Sequence, residues 1–349
     1  MKLKLRCAIS AALVACLSLG VVNYTFIIGK EAKINNNLVK EAAQSEVIVQ
    51  DFIYDNYVIS EKNPWTDYGL HPIKYTYGDE GQNFGKNVDA KAAILVNVDS
   101  NTVLYGKNQN QKLYPASTTK LMTALTVLQT MDMTDVVTVG DEVGMIASDS
   151  SKAGFSKGQV VTVQELLEGL LISSGNDAAY ILAKATGKAI LENNIANEGK
   201  IFTSAQCVQR FVFEMNRNVR DMELENTKFT TPDGYDDDEQ YTTASDLSKI
   251  AIKAYENETI KNICNLAKKY SKTLNKTWIS TNQLINKRSD YYYENCVGLK
   301  TGSTDLAGKC LISVAKDSDS TCVSVVLGGK TDEQRWNDSI KLLKFGLQN

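Results

Sequence analysis

Ser117 and Lys120 are the first residues whose types and spacing suggest chemistry, in the string Ser117-Thr-Thr-Lys120. At the start of a helix, positions i and i+3 share a face, so the serine hydroxyl and the lysine amine can meet. A serine hydroxyl is a poor nucleophile until a neighbour takes its proton, and an amine can do so only when it is neutral. We therefore expect desolvation and a nearby cation to lower the pKa of Lys120. The positive end of the helix beside Ser117 would favour a developing oxyanion.

A second string, Ser174-Gly175-Asn176, directly follows an apolar helical segment at residues 166–172. Ser174 could relay a proton to a leaving group, and the Asn176 amide could hold the backbone of a substrate. Taken alone, a helix C-cap followed by an N-cap is the simpler interpretation of this string.

A third string, Lys300-Thr301-Gly302, ends a strand-like segment. Lys300 offers a fixed positive charge and Thr301 a hydroxyl, and both groups suit a terminal carboxylate. Strand alternation places Lys300 and Gly302 on one face, where the glycine would leave room for substrate along the strand. Lys300 could also be the cation that lowers the pKa of Lys120. Taken alone, a solvated strand end explains the string more simply.

The three strings follow the order of the S-x-x-K, S-D-N and K-T-G motifs of penicillin-binding proteins and class A β-lactamases. Gly175 stands where the second motif has its central Asp. From about Asp89 to the C-terminus, the chain resembles the D-alanyl-D-alanine carboxypeptidase family of low-molecular-mass penicillin-binding proteins. The strings that carry the resemblance are Tyr114-Pro-Ala-Ser-Thr-Thr-Lys-Leu-Met-Thr-Ala-Leu, Leu171-Ile-Ser-Ser-Gly-Asn-Asp-Ala-Ala, Phe229-Thr-Thr-Pro-Asp-Gly-Tyr and Gly298-Leu-Lys-Thr-Gly-Ser-Thr-Asp-Leu-Ala-Gly-Lys-Cys-Leu.

The resemblance implies a serine-type carboxypeptidase that removes the terminal D-alanine from peptidoglycan stem pentapeptides and acts in cell-wall maturation. Ser117 would be the acyl-ester nucleophile and Lys120 its proton acceptor. Ser174 with Asn176 would form the second element of the catalytic site. The peptidoglycan stem peptide would be the substrate, and β-lactam antibiotics would be covalent inhibitors.

The resemblance also implies a substrate-binding strand. Lys300 and Thr301 would bind the substrate carboxylate, and the backbone N–H groups of Ser117 and Ser303 would form the oxyanion hole. The family often has His where this chain has Ser303. Because only the backbone is needed there, we expect the activity to survive the difference.

The sequence patterns predict two strands first, then a block of helices, then three more strands and a final helix. A hairpin is predicted at 92–105, mainly helices from 117 to about 258, three strands at 296–300, 309–315 and 321–327, and a closing helix at 332–347. The early and late strands are expected to pair in one sheet, because otherwise they would form two small separate sheets. The prediction is an α+β fold of the β-lactamase/D,D-peptidase-like type. It would be an α/β sandwich with an antiparallel sheet of about five strands flanked by helices, plus a helical subdomain.

The N-terminus has a basic start at residues 2–6 and then an uncharged run at 7–29. This pattern is typical of an export signal, and the run is long enough to span a bilayer. An uncleaved anchor, a cleaved signal and a lipidated Cys16 are the alternatives, and the basic start predicts a body on the extracytoplasmic face of the membrane. The predicted organisation is a membrane anchor or signal sequence at 1–29, a polar stalk or lead-in at 30–88 and the catalytic domain at 89–349.

Composition argues against several other classes of protein. The single histidine, His71, cannot build a zinc site of two or three histidines and lies far from any serine motif. The net charge is −3, and nothing in the sequence suggests the basic patch that a nucleic-acid-binding protein needs. We predict no cofactor and no metal, and we interpret the acidic loop 233–240 as solvated, with calcium binding as the alternative. A Cys296–Cys310 disulfide is possible, but spacing does not establish it.

Two rival functions stay open from the sequence. A serine β-lactamase needs a deacylating carboxylate, usually in an E-x-x-L-N string, and none lies between Asn176 and Lys300; the nearest string is Glu223-Leu-Glu-Asn. A catalytically silent wall-binding or sensor protein would keep the fold and lose the nucleophile. The presence of Ser117 and both motif lysines argues against this second rival.

Overall fold

The computed structural model describes residues 70–78, 84 and 87–348. The predicted anchor or signal at 1–29 lies outside the described residues, as does most of the predicted lead-in at 30–88. Within the described part of this lead-in, Thr76–Tyr77 forms a short strand, and Phe84 and Val88 are buried. No helix in the described ranges combines the length and the apolar character that crossing a membrane requires.

Ten strands and seven α-helices occur within the described residues. The strands are β1 (Thr76–Tyr77), β2 (Ala92–Asn97), β3 (Thr102–Lys107), β4 (Val136–Thr138), β5 (Val160–Thr162), β6 (Lys268–Ser271), β7 (Lys276–Ile279), β8 (Cys296–Thr304), β9 (Gly308–Lys316) and β10 (Thr321–Gly329). The helices are α1 (Lys120–Leu128), α2 (Val163–Leu171), α3 (Asn176–Glu192), α4 (Ser204–Asp221), α5 (Ala244–Glu256), α6 (Glu258–Cys264) and α7 (Asp332–Gly346).

The main sheet has six strands in the order β1-β3-β2-β10-β9-β8. The five predicted strands pair antiparallel, with the early hairpin β2–β3 joined to the late strands through β2 and β10. The sixth strand, β1, pairs parallel with β3 and contains only two residues, too few to give a period in the sequence. The predicted α+β fold is confirmed, with a parallel edge strand added to the expected sheet.

Both faces of the sheet are buried. Side chains alternate along β2, so Ile94 packs beneath the helical block while Leu95 packs on the opposite face. On that opposite face, Trp336 and Leu343 of α7 cover the sheet. Strand β10 is buried along its whole length because helices flank it on both sides.

Helix ends in the helical block follow the signals in the sequence. The Thr162 side chain accepts a hydrogen bond from the Glu165 N–H and so caps the start of α2. The helix predicted to begin at Ser117 instead opens with a 3₁₀ turn over Ala116–Thr119, and α-helical geometry begins at Lys120.

The five cysteines within the described residues are all buried and free. The disulfide considered between Cys296 and Cys310 is therefore absent. Burial raises the pKa of the Cys296 thiol to about 12 and that of Cys310 to about 11. These thiols are small buried side chains with little tendency to ionise.

Candidate active site

The 3₁₀ turn brings Ser117 and Lys120 together. Side chains three residues apart eclipse one another in 3₁₀ geometry, and Lys120 Nζ lies 2.7 Å from Ser117 Oγ. Lys120 is fully buried, whereas Ser117 lines an open cleft. The hydroxyl is thus accessible from the cleft, and the amine behind it is shielded from water.

Two further groups surround the Lys120 amine. Its Nζ donates to Asn176 Oδ1 and to the backbone carbonyl of Asp233, both at 2.8 Å. A neutral amine has two N–H donors and one lone pair, which matches these two acceptors and a hydroxyl donor at Ser117. Burial lowers the pKa of Lys120 to about 8, against the opposing charges of Asp233 and Asp177. The site can therefore hold the neutral form that accepts a proton.

Lys300 is the second buried amine of the site. Strand β8 directs it into the protein, where Nζ donates to Ser174 Oγ at 2.8 Å and to its neighbouring carbonyl at Thr301 at 2.9 Å. Burial, and then the charge of Lys120, lower the pKa of Lys300 well below its usual value. The sequence interpretation gave Lys300 a fixed charge that lowers the pKa of Lys120. The sequence interpretation also expected desolvation, and burial is the leading cause of the lowered pKa in both amines.

Ser174 and Asn176 occupy the sharp connection between α2 and α3. Ser174 has a φ of +60°, Gly175 caps α3, and Asn176 is the first residue of that helix. The Asn176 amide spans the site, because Oδ1 accepts from Lys120 while Nδ2 donates to Ser150 Oγ at 2.9 Å. Gly175 holds the N-cap position without a side-chain capping bond, and neither Ser174 nor Asn176 caps a helix.

Gly302 faces a neighbouring backbone. An ideal Cβ built on it would lie 3.0 Å from Ala116 Cβ and 3.1 Å from Pro115 O and Ser117 N. The sequence interpretation reserved this space for substrate, but the turn that carries Ser117 fills it. Glycine at this position therefore lets β8 approach the nucleophile closely.

We expect Gly302→Ala to slow acylation by a β-lactam about tenfold or more, because the added methyl pushes β8 away from Ser117. The rate of labelling by a fluorescent penicillin measures the effect. Gly144→Ala is the matched control, since a Cβ at Gly144 meets nothing within 4 Å. Equal labelling rates in the two variants would show that the close approach has no catalytic value.

Two hydroxyls on β8 have partners that the sequence interpretation missed. The Thr301 hydroxyl lies 2.6 Å from the Thr281 hydroxyl. Ser303 Oγ accepts a hydrogen bond from Lys309 Nζ at 3.0 Å. Both partners come from outside the three motif strings, so only the folded chain reveals them.

Asp177 is a further residue that sequence reasoning missed. Its buried carboxylate accepts backbone N–H bonds from Ala153, Gly154 and Phe155 at 2.7 to 2.9 Å. It thereby fixes the segment that follows Ser150 and Ser151, two residues of the cleft wall. Its position directly after the second motif was the only signal in the sequence.

We expect Asp177→Asn to destabilise the protein by about 2 kcal/mol, because an amide NH₂ would face backbone donors and leave them unsatisfied. Urea denaturation measures the change. Asp319→Asn, in an exposed turn, is the matched control. If both variants unfold at the same urea concentration, the three backbone hydrogen bonds to the Asp177 carboxylate do not contribute to stability.

The acidic loop 233–240 is only partly solvated, which corrects the sequence interpretation. Asp233 is buried beside Lys120, and Asp236 accepts from the Thr304 hydroxyl and the Leu306 N–H. Among residues 70–78, 84 and 87–348, no group of three or more His, Cys, Asp or Glu side chains is arranged to hold a metal ion.

The arrangement can carry out serine acyl transfer with an amine as the base. A nucleophilic hydroxyl that lines a cleft of about 300 Å³ contacts a buried lysine of lowered pKa. A second lysine and the Thr301 hydroxyl lie on the adjacent strand. The cleft also contains Asn176 and Ser303.

Comparisons with known proteins agree with this geometry. The sequence profile described as D-alanyl-D-alanine carboxypeptidase matches residues 79–189 and 203–331. The chain is 31% identical to D-alanyl-D-alanine carboxypeptidase DacF of Bacillus subtilis over 265 residues, which is 74% of this chain and 62% of that protein. It is 30% identical to a D-alanyl-D-alanine carboxypeptidase of Streptomyces sp. over 271 residues, covering 74% of this chain and 87% of the relative.

A solved structure has the same fold. The crystal structure of the Streptomyces K15 DD-transpeptidase superposes with a TM-score of 0.68 at 30% identity, covering 76% of this chain and 99% of that chain. The chain belongs to the D-alanyl-D-alanine carboxypeptidase family. The resemblance given by the three motif strings is therefore confirmed. The chain spans about three fifths of the length of the Bacillus relative.

Proposed function

We propose that the protein is a serine-type D-alanyl-D-alanine carboxypeptidase that removes the terminal D-alanine from peptidoglycan stem pentapeptides. The observation that carries the proposal is the 2.7 Å contact between Ser117 Oγ and the buried amine of Lys120. Family membership supplies the substrate class.

Acylation begins with attack of Ser117 Oγ on the carbonyl carbon of the penultimate D-alanine. The hydroxyl proton passes to the neutral amine of Lys120 as the new C–O bond forms. The carbonyl oxygen becomes an oxyanion, which the backbone N–H groups of Ser117 and Ser303 are proposed to stabilise. Lys300 and the Thr301 hydroxyl would hold the terminal carboxylate of the substrate.

Collapse of the tetrahedral intermediate breaks the C–N bond and releases the terminal D-alanine. Its nitrogen gains the proton that Lys120 took from Ser117, so Lys120 is neutral again before deacylation. Ser174 is suited to relay this proton, because its oxygen accepts a hydrogen bond from Lys300 Nζ at 2.8 Å and its own O–H is left to donate. The stem tetrapeptide remains as an ester on Ser117.

Deacylation reverses these roles. A water molecule attacks the ester carbonyl while Lys120 takes its proton, and the proton then returns to Ser117 Oγ as the ester C–O bond breaks. The products are the tetrapeptide acid and the free enzyme. Asn176 would keep the Lys120 amine oriented through both steps, because its Oδ1 accepts from Nζ.

The rate of acylation should rise with pH up to about 8 and then level off. Burial lowers the pKa of Lys120 to about 8. At pH values below about 8, the neutral fraction of this amine therefore increases about tenfold for each unit by which the pH rises. Second-order rates of penicillin acylation between about pH 5.5 and 9.5 measure the profile. A rate that falls as pH rises through this range would contradict the base role.

The location of the enzyme is part of the proposal. The basic start and the uncharged run at 7–29 support export, with the domain held on or released to the extracytoplasmic side of the membrane. Peptidoglycan stems are presented there. Fractionation of cells that produce the full chain, followed by penicillin labelling of each fraction, tests this point. Labelling confined to the cytoplasmic fraction would contradict it.

One incubation tests the function directly. Purified protein containing residues 70–349 is mixed with a stem pentapeptide, and mass spectrometry follows free D-alanine and the tetrapeptide. Equal amounts of the two products are expected. Nitrocefin is added in a parallel assay, because fast turnover of this β-lactam without release of D-alanine would favour the β-lactamase alternative.

A further inference from the structure

Three chain segments form the walls of the Ser117 cleft. The first contains Asp149, the second contains Tyr235 and Asp236, and the third contains Ser303 and Thr304. The first wall belongs to the helical block, and the third is the C-terminal end of β8. The second wall is part of the acidic loop 233–240, whose Asp233 carbonyl accepts a hydrogen bond from Lys120 Nζ.

The second wall is bonded to both of the others. The Tyr235 hydroxyl donates to the carboxylate of Asp149, with its oxygen 3.0 and 3.1 Å from the two Oδ atoms. On the other side, Asp236 accepts from the Thr304 hydroxyl at 2.6 Å and from the Leu306 N–H at 3.1 Å. Tyr235 and Asp236 are consecutive, so adjacent side chains join opposite sides of the cleft.

The same loop is fixed to the catalytic centre. The Asp233 carbonyl accepts from Lys120 Nζ, and Thr123 of α1 donates to the Pro232 carbonyl. An added Cβ at Gly234 would lie 1.9 Å from the Ala116 carbonyl oxygen, so the loop packs directly on the turn that carries Ser117. The position of Tyr235 is thereby coupled to the position of the nucleophile.

The Ser117 cleft is small. Its volume of about 300 Å³ is at the lower end of the range for ligand pockets. With an acylated stem peptide in place, a cleft of this size would have room for water and little room for a second peptide chain. The solvent-exposed bond between Tyr235 and Asp149 joins the first and second walls across this volume.

We propose that the bond between Tyr235 and Asp149 determines the acceptor, admitting water and hindering amines, so that the acyl-enzyme is mainly hydrolysed. This inference rests on the proposed function, because it concerns the fate of the ester on Ser117. With an amine acceptor, a C–N bond forms as the ester C–O bond breaks, and the amine proton returns through Lys120 to Ser117 Oγ. The products are a new amide and the free serine.

The test measures the partition of one acyl-enzyme between two acceptors. Enzyme and stem pentapeptide are incubated with excess glycylglycine, and mass spectrometry gives the ratio of the glycylglycine adduct to the tetrapeptide acid. In Tyr235→Phe, which removes only the hydroxyl, we expect this ratio to rise about threefold or more, as for loss of one hydrogen bond. Asp149→Ala removes the other partner and should raise the ratio similarly, and the double variant should add little.

Tyr270→Phe is the matched control, since its hydroxyl bonds to Asn275 on the β6–β7 hairpin and it does not line the cleft. Its partition ratio should equal that of the wild type. Unchanged ratios in both Tyr235→Phe and Asp149→Ala, or an equal rise in Tyr270→Phe, would overturn the inference. Failure of the proposed function looks different, because the wild type would then release no D-alanine and form neither product.

Discussion

Replacing Ser117 with alanine is expected to abolish penicillin labelling and to reduce release of D-alanine by at least about 10⁴-fold. The variant removes the oxygen that forms the ester and leaves the buried amine of Lys120 with no hydroxyl to activate. Among the described residues that line the cleft, no other hydroxyl hydrogen-bonds to that amine. Fluorescent penicillin on a denaturing gel and mass spectrometry of the pentapeptide reaction give the two readouts.

The matched control is Ser318→Ala, which removes a serine hydroxyl from the exposed turn between β9 and β10. This variant should label and hydrolyse like the wild type. Release of D-alanine by Ser117→Ala at more than about one hundredth of the wild-type rate would contradict the assignment of the nucleophile.

Replacing Lys120 with arginine should reduce acylation by about 10³-fold or more. A guanidinium stays protonated throughout the accessible pH range and cannot accept the Ser117 proton. It is also larger than the ammonium group, and the fully buried site provides acceptors placed for a single nitrogen. Stopped-flow or gel-based acylation rates with a labelled penicillin measure the loss.

Lys261→Arg provides the control, because Lys261 pairs with Glu258 on the surface of α6 and tolerates a change of cation. A second check uses the pH profile of any residual activity. In Lys120→Arg the rise towards pH 8 should disappear, whereas simple misplacement of Ser117 would lower the rate and preserve the profile. Retention of the wild-type rate and profile would exclude Lys120 as the base.

Local rules were sufficient for part of the site. The contact between Ser117 and Lys120 follows from their spacing of three residues, because both α and 3₁₀ geometry bring such positions to one face. The cap at Thr162 is likewise a local hydrogen bond. The pairing of early and late strands was predicted from one further rule, that a strand must hydrogen-bond to another strand in a sheet. The antiparallel β2–β10 pair agrees with this rule.

Other features depend on contacts between distant segments. The Asp233 carbonyl bonds to Lys120, more than one hundred residues away in the sequence. Every residue has a backbone carbonyl, so the sequence does not indicate which one lies beside Lys120. Asp177 is one of many acidic residues in the sequence, and only the fold directs three backbone N–H groups at it. The sequence predicted room for substrate beside Gly302, but in the fold the turn that carries Ser117 fills this space.

The pKa values of the two amines illustrate the same limit. The sequence indicated that desolvation and a nearby cation lower the pKa of Lys120, and it offered Lys300 as that cation. Both amines are fully buried, and burial is the largest cause of the lowered pKa in each. The degree of burial is a property of the whole core, so the motifs alone could not rank it above the repulsion between the amines.

The most direct test is to locate the covalent bond. The protein is acylated with benzylpenicillin, digested at low pH to preserve the ester, and the modified peptide is sequenced by tandem mass spectrometry. A single adduct on the Ser117 oxygen is expected, and it should be absent from Ser117→Ala. An adduct on another residue, or an unmodified protein after prolonged incubation, would contradict the serine–lysine mechanism.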